Sequence, residues 1–321
     1  MPKKILVTGG AGFIGSHVAD LFLAEGWDVS VVDDLSTGKR ENIPEKVRFH
    51  ELSITSPELA KVVRGGKFDV IAHLAAQMDI RKSVEDPVFD ATTNLVGTLN
   101  LMEGVRASES KPLTIFASTG GALYGNSSKP PNHENATKDP ESPYAVSKLA
   151  GEYYLAYYGR AHGSEAVSLR FGNVYGPRQD PNGEAGVVAI FCGRIVRGEP
   201  LTIFGDGHQT RDYVYVGDVA RSVLVAATNP LPVKGGIDAR AFNIGTGRGT
   251  SVIQLAKELQ AAAGSSVPVK FAPRRPGEVQ DSFLACVKAH ELMGWKPDVT
   301  LAAGLKRTYT WFAQHHGGAI A

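Results

Sequence analysis

The chain has 321 residues, of which 43% are hydrophobic and 21% charged. These values are ordinary for a soluble globular protein, and a chain of this length is expected to form two lobes. The 34 basic and 33 acidic residues leave a formal net charge of +1. Because there is no basic excess, we expect neither nucleic acid nor a membrane surface as a partner.

We expect a cytoplasmic protein without a metal site. The first apolar run is too brief for the core of a signal peptide, and the most apolar later stretch, 219–227, is too short to cross a membrane. The two cysteines, Cys192 and Cys286, lie far apart, with no Cys-x-x-Cys motif and no histidines at metal-ligand spacing. Free thiols in a reducing compartment are therefore predicted.

The N-terminal stretch predicts a strand, a tight turn and a helix. An apolar run at 4–7 is followed by glycines at every third position, Gly9, Gly12 and Gly15, and then by a helical pattern that ends at Gly26. Glycines here let the chain turn, approach a pyrophosphate and pack the helix against the sheet. The helix N-terminus would attract the phosphates. The spacing differs from the commonest Gly-x-Gly-x-x-Gly fingerprint, so the turn alone is weak evidence for a dinucleotide site.

A second predicted strand, 28–32, ends in two carboxylates, Asp33 and Asp34. Asp33 stands 18 residues after Gly15, about where an acid binds the adenosine ribose in such a unit. Two carboxylates there would repel a 2′-phosphate, which favours NAD over NADP as the cofactor. The alternative is an ordinary βαβ unit with surface acids.

Apolar runs alternate with amphipathic helical patterns through the first half of the chain. The runs are apolar on successive residues, as in strands covered on both faces, and lie at 5–7, 29–32, 47–50, 68–74, 113–117 and 166–169. Further helices are predicted at 57–64, at 87–106 with Asp86 as the N-cap, and at 143–162. This alternation predicts an α/β fold with a doubly wound parallel sheet of the Rossmann type, which binds its ligand at the carboxyl ends of the strands.

The pattern changes after residue 175. A loop rich in Gly and Pro, 176–183, is followed by elements that we predict to be shorter and less regular, with one return to a buried strand at 242–244. We therefore predict an NAD-binding domain over 1–175, with a returning segment near 211–246. A smaller mixed α/β lobe over 176–321 would bind the substrate.

The predicted helix 143–162 carries the candidate chemistry. Ser142 is a good N-cap and Pro143 a good first residue, so Tyr144 and Lys148 lie four residues apart on one face near the helix start. The ordinary pKa of a phenol, about 10, is too high for a base at neutral pH. An ammonium group and an oxidised nicotinamide would both favour the phenolate. Tyr144 would then take a proton from a substrate hydroxyl while hydride passes to NAD.

The motifs resemble those of the extended short-chain dehydrogenase/reductases in the NAD-dependent epimerase/dehydratase family, and most closely its UDP-glucose 4-epimerase-like group. The resemblance covers nearly the whole chain and is carried by 8–15, 33–38, 73–77, Asn94, Tyr144-x-x-x-Lys148, 169–177 and 211–218. It implies a homodimer that uses NAD to epimerise C4 of a UDP-hexose, either UDP-glucose and UDP-galactose or their N-acetyl forms. The alternatives are another nucleotide-sugar oxidoreductase or epimerase of the family, and an NAD-sensing binding protein with weak catalysis.

The resemblance also implies which residues contact NAD. They are Gly9, Gly12, Phe13, Ile14, Asp33, Asp34, Ser36, Thr37, Gly38, Ser53, Ile54, Leu74, Ala75, Ala76, Gln77, Asn94, Ser118, Tyr144, Lys148 and Phe171. The family usually has an acid near the adenine at position 53, so Ser53 is expected to weaken one hydrogen bond to the cofactor.

The implied substrate contacts are Thr119, Tyr144, Asn173, Arg211, Arg275, Glu278 and Ser282. Arg211 and Arg275 match the arginines that bind the diphosphate, and guanidinium groups suit phosphate oxygens. The alternatives are an ion pair of Arg211 with Asp212 or Asp218, and a loop-capping role for Asn173. Ser282 stands where the family controls the size of the C2 substituent. Its small side chain predicts that N-acetylated sugars are accepted.

The third catalytic hydroxyl departs from the family pattern. In place of Ser-Ser-x-x-x-Tyr-Gly the chain has Ser-Thr-Gly-Gly-Ala-Leu-Tyr-Gly at 118–125, with Gly120 at the usual position. We predict that Thr119 supplies the hydroxyl, with Ser118 as the alternative, because two glycines let the loop shift. Related dehydratases and decarboxylases carry acids in this loop. Gly120 and Gly121 cannot replace those acids, which favours epimerisation.

Overall fold

The computed structural model describes residues 1–182, 186–274 and 279–316. Short helical turns lie at Arg40–Asn42, Thr92–Val96 and Ala289–Met293. The strands and helices, in chain order, are β1 (Lys4–Thr8), α1 (Phe13–Ala24), β2 (Asp28–Asp33), β3 (Arg48–Glu51), α2 (Glu58–Gly66), β4 (Val70–His73), α3 (Ile80–Glu85), α4 (Pro87–Ala91), α5 (Gly97–Ala107), β5 (Leu113–Thr119), α6 (Pro143–His162), β6 (Ala166–Phe171), β7 (Asn173–Tyr175), α7 (Val187–Val196), β8 (Leu201–Phe204), β9 (Thr210–Arg211), β10 (Tyr213–Tyr215), α8 (Val216–Thr228), β11 (Ala241–Ile244), β12 (Thr250–Ser251), α9 (Val252–Ala263), β13 (Val269–Ala272), β14 (Asp281–Ser282) and α10 (Leu301–His316).

The largest sheet has seven strands in the order β11-β6-β5-β4-β1-β2-β3, and all neighbouring strands are parallel. The predicted doubly wound sheet is therefore confirmed. The register places Ile5 beside Val29 on one side and Val70 on the other. Since the strand order reverses between β1 and β4, a crevice for a ligand is expected where these two strands end.

The two faces of this sheet are covered by different helices. Ile5 and Val7 point to the face packed by α1 and α8, whereas Leu6 points to the face packed by α2, α5 and α6. This alternation, with both faces buried, is the reason that the strands are apolar on successive residues. The return of the chain to the sheet is also confirmed, because Phe242 of β11 pairs with Leu169 of β6.

The predicted helix 87–106 is only partly right. It begins at Pro87, and the Asp86 side chain accepts a hydrogen bond from the amide of Phe89, as an N-cap does. A π-helical turn, Thr92–Val96, interrupts it between α4 and α5. Within that wider turn the Asn94 side chain bonds both the backbone of Gln77 and the carboxylate of Asp90. Inserted π turns often accompany functional positions.

The expected irregularity of the second half is wrong for its helices. The helices α7, α9 and α10 have 10, 12 and 16 residues, and they pack around a separate core that includes Phe191, Leu255 and Phe312. The strands there are short, with two to four residues each. The division into 1–175 and 176–321 stays a prediction.

Candidate active site

The glycine-rich turn lies at the carboxyl end of β1, between β2 and β4. Gly9 has a φ of +73°, and a Cβ there would lie 2.7 Å from the amide nitrogen of Ala75. A Cβ on Gly15 would overlap the carbonyl oxygen of Gly9. Gly12 caps α1, whose first turn has no acidic residue. The turn therefore leaves a cradle at a helix N-terminus, where an anion would be stabilised.

The Asp33 carboxylate is fixed at the end of β2 by backbone amides. The amide of Ala11 donates to one oxygen at 2.9 Å and the amide of Leu35 to the other at 2.9 Å. Burial raises the pKa of Asp33, while the two amides oppose that shift. An acid thus stands beside the glycine-rich turn, at the distance along the chain that the sequence predicted.

The loop from Asp34 to Gly38 folds back onto the same turn. The Asp34 carboxylate accepts hydrogen bonds from the amide and hydroxyl of Ser36, and Ser36 and Thr37 are exposed. A Cβ on Gly38 would lie 2.7 Å from the Cβ of Ala11. The sequence did not indicate Asn42, whose side-chain amide donates to the Ala11 carbonyl at 2.9 Å and holds this loop in place.

The remaining predicted cofactor residues lie along the same edge of the sheet. Phe13 and Ile14 stand in the first turn of α1. Ser53 and Ile54 follow β3, the segment Leu74, Ala75, Ala76 and Gln77 follows β4, and Ser118 and Phe171 lie at the ends of β5 and β6. The fold therefore brings together five strand ends that are far apart in the chain.

A buried chain of hydrogen bonds supports the loop after β4. Thr98 donates to the Asn94 carbonyl at 2.6 Å, so its hydroxyl oxygen accepts from Nε2 of His73 at 3.0 Å. Nδ1 of His73 then accepts from the hydroxyl of Thr8 at 2.7 Å, and Thr8 accepts from the amides of Leu74 and Ala75. Burial, together with the charge of Lys148, lowers the pKa of His73 to about 3. The imidazole is therefore neutral at physiological pH.

Tyr144 and Lys148 lie on one face of α6, beside β5. The predicted cap is present, since the Ser142 hydroxyl accepts from the amide of Ala145 at 3.3 Å. The Lys148 ammonium donates to the Ala117 carbonyl at 2.9 Å and lies 5.9 Å from the centre of the Tyr144 ring. Lys148 is buried, and Tyr144 is half-buried.

The protein by itself holds Tyr144 as a neutral phenol. Burial and the charge of Asp90 raise the pKa of Tyr144 to about 12, whereas burial lowers the pKa of Lys148 to about 8 with Asp90 opposing the shift. In the protein alone, burial and Asp90 keep the pKa of Tyr144 high, and the effect of Lys148 together with an oxidised nicotinamide stays a prediction. The positive charge of an oxidised nicotinamide would act in the opposite direction.

Ser118 and Thr119 have different surroundings. The Ser118 hydroxyl donates to the carboxylate of Glu152 at 2.5 Å, inside a buried pair of Glu152 with Arg170. The Thr119 hydroxyl accepts from the amide of Ala122 at 3.2 Å, which leaves its proton for another acceptor. Ser118 is 4% exposed and Thr119 is 9% exposed. Ser118 therefore bonds inward, and Thr119 keeps a hydrogen-bond donor.

The strands β7, β9 and β14 contribute Asn173, Arg211 and Ser282 near this loop. A Cβ on Gly121 would lie 3.5 Å from the side-chain oxygen of Asn173, and the Ser282 hydroxyl lies 3.4 Å from the Gly121 carbonyl. Arg211 and Ser282 are register partners on β9 and β14. The fold thus places Asn173 and Ser282 against the segment that carries Thr119, with Arg211 beside Ser282.

Among the described residues, the two acids considered as ion-pair partners of Arg211 bind other groups. The Asp212 carboxylate binds Thr246 and Gly247, and the Asp218 carboxylate binds Arg221 and two backbone amides. Arg211 donates to the Thr210 carbonyl at 2.7 Å. The other two predicted substrate residues, Arg275 and Glu278, lie outside the described residues.

A contact between α1 and the loop after β7 was not predicted. Nε2 of His17 lies 3.0 Å from the Pro177 carbonyl, and Arg178 pairs with Asp20 at 2.7 Å. His17 falls on the apolar stripe of the first helix, so its pattern alone indicated only packing. These bonds tie α1 to the loop after β7.

The segments that carry these motifs match a known protein family. A model of the NAD dependent epimerase/dehydratase family matches residues 5–245. The chain belongs to this family. The matched range includes the glycine-rich turn, Asp33, the pair on α6 and Arg211.

Individual relatives match over almost their whole length. The UDP-glucose 4-epimerase of Mycolicibacterium smegmatis is 42% identical over 96% of this chain and 98% of its own. The crystal structure of UDP-glucose 4-epimerase from Thermotoga maritima, with UDP-glucose, is 46% identical, has a TM-score of 0.92 and covers 97% and 99% of the two chains. The Thermus thermophilus UDP-glucose 4-epimerase in complex with NAD is 44% identical, with a TM-score of 0.88 and coverage of 99% and 100%.

In residues 1–182, 186–274 and 279–316 no helix is both long and apolar enough to span a membrane. In the same ranges no three His, Cys, Asp or Glu side chains cluster as metal ligands would.

Proposed function

We propose that this protein is an NAD-dependent 4-epimerase of UDP-hexoses. The observation that supports the proposal is the placement of Tyr144 and Lys148 on one face of α6, where the Lys148 ammonium bonds the Ala117 carbonyl of β5 and its charge acts on His73 at the end of β4. Relatives named UDP-glucose 4-epimerase, at 42% to 46% identity over nearly the whole chain, support the same activity.

The cradle fits a dinucleotide. Gly9 and Gly15 let the turn pack against neighbouring backbone that a Cβ would overlap, and Gly12 begins α1, whose N-terminal amides would bind phosphate. Asp33 would bind the adenosine ribose, and its charge with that of Asp34 disfavours a 2′-phosphate. When bound, NAD supplies an acceptor for hydride from C4 of the sugar and returns it.

Three side chains would act on the C4 hydroxyl. Tyr144 takes its proton as hydride leaves the carbon, and Thr119 donates a hydrogen bond that orients the oxygen. Lys148, whose ammonium is held by the Ala117 carbonyl, stabilises the phenolate once it forms. The 4-keto sugar turns about its diphosphate link and receives hydride on the opposite face, while Tyr144 returns the proton.

The UDP part would be held away from the reacting carbon. Arg211 would bind the diphosphate, and Asn173 would bind the substrate between the sugar and the diphosphate. We propose the same diphosphate role for Arg275 and a substrate contact for Glu278. An anchor at this distance lets the sugar rotate without release.

The loop after β5 favours epimerisation over elimination of water. Gly120 and Gly121 follow Thr119 and have no acidic or basic side chain. A Cβ on Gly120 would lie 2.6 Å from Leu284, so packing leaves little space for an acid there. Epimerisation needs no such group.

We also propose that two copies associate through α4, α6 and the turn between α4 and α5. These elements expose apolar side chains that a monomer would leave in water: Val88, Phe89, Val96, Val146, Tyr153, Tyr154 and Tyr157. Sedimentation of the protein should give twice the monomer mass, and Val146→Asp should lower it to that of the monomer. A wild-type monomer would contradict the proposed dimer.

The function is tested by releasing the bound nucleotide from the purified protein and then adding UDP-galactose. We expect NAD to be released on denaturation and UDP-glucose to form, with no net change at the absorbance band of reduced nicotinamide. Accumulation of reduced nicotinamide would favour a net oxidoreductase of the family. Bound NAD without conversion of either sugar would instead favour an NAD-sensing binding protein.

A further inference from the structure

A buried acid that the proposed mechanism does not use stands behind the candidate catalytic pair. Asp90, on α4, is 0% exposed. One oxygen accepts from the side-chain amides of Gln77 and Asn94, each at 3.0 Å, and the other accepts from the hydroxyl of Ser147 at 2.7 Å. Ser147 lies on α6 between Tyr144 and Lys148. Asp90 is thus attached to the helix that presents both groups.

The hydrogen-bond donors to Asp90 among the described residues are all neutral. A fully buried carboxylate is rare unless a positive charge compensates it. The Lys148 ammonium provides that charge: Asp90 opposes the effect of burial on the pKa of Lys148 and adds to its effect on Tyr144. The three groups therefore form one electrostatic unit on and beside α6.

We propose that Asp90 is a positioning residue for the proposed epimerase reaction, and this inference rests on that proposed function. Its charge keeps the Lys148 ammonium protonated inside the protein and keeps the Tyr144 proton in place until an oxidised cofactor is bound. Its bond to Ser147 fixes α6 against the loop that carries Gln77 and the turn that carries Asn94. Asp90 acts through Tyr144 and Lys148 and does not itself meet the sugar.

The other ionisable groups around this unit are limited. His73 of β4 interacts with Lys148 and is neutral at physiological pH. Glu152, one turn further along α6, is paired with Arg170 at 2.6 Å. On α3 and at the start of α4 the charged side chains are exposed to water, which screens them: Arg81, Lys82, Glu85 and Asp86. Removal of the Asp90 charge should therefore change the pKa of Lys148 and the pKa of Tyr144.

Asp90→Asn removes the charge and keeps the shape. The asparagine oxygen can still accept from Gln77 and Asn94, and its amide can donate to the Ser147 hydroxyl, which is free to turn its own proton away. Ser147→Ala is the matched control, because it removes a hydrogen bond and leaves the charge.

The first measurement is kcat for UDP-galactose across the pH range, with wild type and both variants. Without the negative charge the ammonium loses its proton more easily and the phenolate forms more easily, so the pKa of each group falls. Both limbs of the Asp90→Asn profile should therefore move to lower pH by roughly one unit. The Ser147→Ala profile should be lower in height with its limbs in place.

The second measurement needs no turnover. Lysines labelled with ¹³C at Cε are titrated by NMR, with the Lys148 signal assigned from Lys148→Met. The pKa of Lys148, about 8 in the wild-type protein, should fall in Asp90→Asn. If the pKa of Lys148 falls in Asp90→Asn although the wild-type protein does not convert UDP-sugars, the electrostatic unit is supported and only the proposed function is overturned.

The proposal is overturned if Asp90→Asn leaves the pKa of Lys148 and both limbs of the profile unchanged, even with a lower kcat. Asp90 would then be a structural residue only. If Asp90→Asn does not fold, Asp90→Ser can replace it, because serine is neutral and smaller than aspartate. The pKa of Lys148 should also fall in Asp90→Ser, and an unchanged pKa and pH profile would again overturn the proposal.

Discussion

The two ends of the proposed cleft are built in different ways. At the proposed cofactor end, Gly9, Gly12 and Asp33 come from adjacent segments of one βαβ unit, and backbone amides hold the Asp33 carboxylate. At the proposed sugar end, Thr119 and Ser282 come from strands far apart in the chain, and we propose that their side chains bind the substrate.

This difference separates the effects that substitutions should have. A change at the cofactor end acts on a backbone cradle that the local chain builds, so it should alter NAD retention and folding. A change at the sugar end removes one side chain from a site assembled by β9, β14 and the loop after β5, so it should alter KM or sugar choice. The predictions below test this separation.

The largest effect is expected at Tyr144, where the two ends meet. Tyr144→Phe removes the proton acceptor, and kcat should fall by roughly 10²-fold or more while NAD stays bound. Tyr309→Phe, on α10 in the second lobe, is the control and should keep the wild-type kcat. Unchanged turnover of Tyr144→Phe would remove Tyr144 from the reaction.

Arg211 tests the sugar end alone. Arg211→Ala should raise KM for the UDP-sugar roughly tenfold or more, since a charge-assisted bond to phosphate is lost. The NAD content should not change. Arg197→Ala, which removes an exposed arginine paired with Glu199, is the control. Loss of NAD from Arg211→Ala would show that the two ends are not separable.

Thr119 and Ser118 form a matched pair of adjacent hydroxyls. Thr119→Ala should lower kcat roughly tenfold, because a hydrogen bond to the reacting oxygen is lost. Ser118→Ala should lower the free energy of unfolding by about 1–3 kcal/mol with a smaller effect on kcat, because it removes the bond to the buried Glu152. If instead Ser118→Ala lowers kcat and Thr119→Ala lowers the free energy of unfolding, Ser118 supplies the catalytic hydroxyl.

His73 should make the free energy of unfolding depend on pH. Its pKa is about 3 in the folded protein against an ordinary value of 6.5, so the unfolded chain binds the proton more tightly between these values. The free energy of unfolding should therefore fall as the pH drops below 6.5, by at most about 1.4 kcal/mol per pH unit from this residue. Urea titrations of wild type and His73→Gln should give a shallower dependence in the variant. Equal slopes would mean that His73 is not the residue responsible.

The smallest effect is expected at Ser282. Ser282→Tyr places a ring beside Gly121 and should lower turnover of UDP-GlcNAc relative to UDP-Glc, by roughly threefold or more. The ratio of kcat/KM for the two substrates is the measurement. If the ratio does not change, Ser282 does not control the C2 substituent.

Several features of the fold could be predicted because their causes are local. The caps at Ser142 and Asp86 are short-range hydrogen bonds, and the glycines of the turn are needed because a Cβ would overlap neighbouring backbone atoms. The π turn around Asn94 could not be predicted in this way. It depends on a bond to Gln77, which belongs to another segment.

The sequence by itself determined the alternation of strands and helices, the cradle above β1 and the Tyr144–Lys148 pair, since each depends on residues within one or two turns of each other. Only the tertiary structure decided that Ser118 bonds inward, that Ser282 lies opposite Arg211, and that Asp90 stands behind α6. These depend on strand register and burial between distant segments, which local periodicity does not encode.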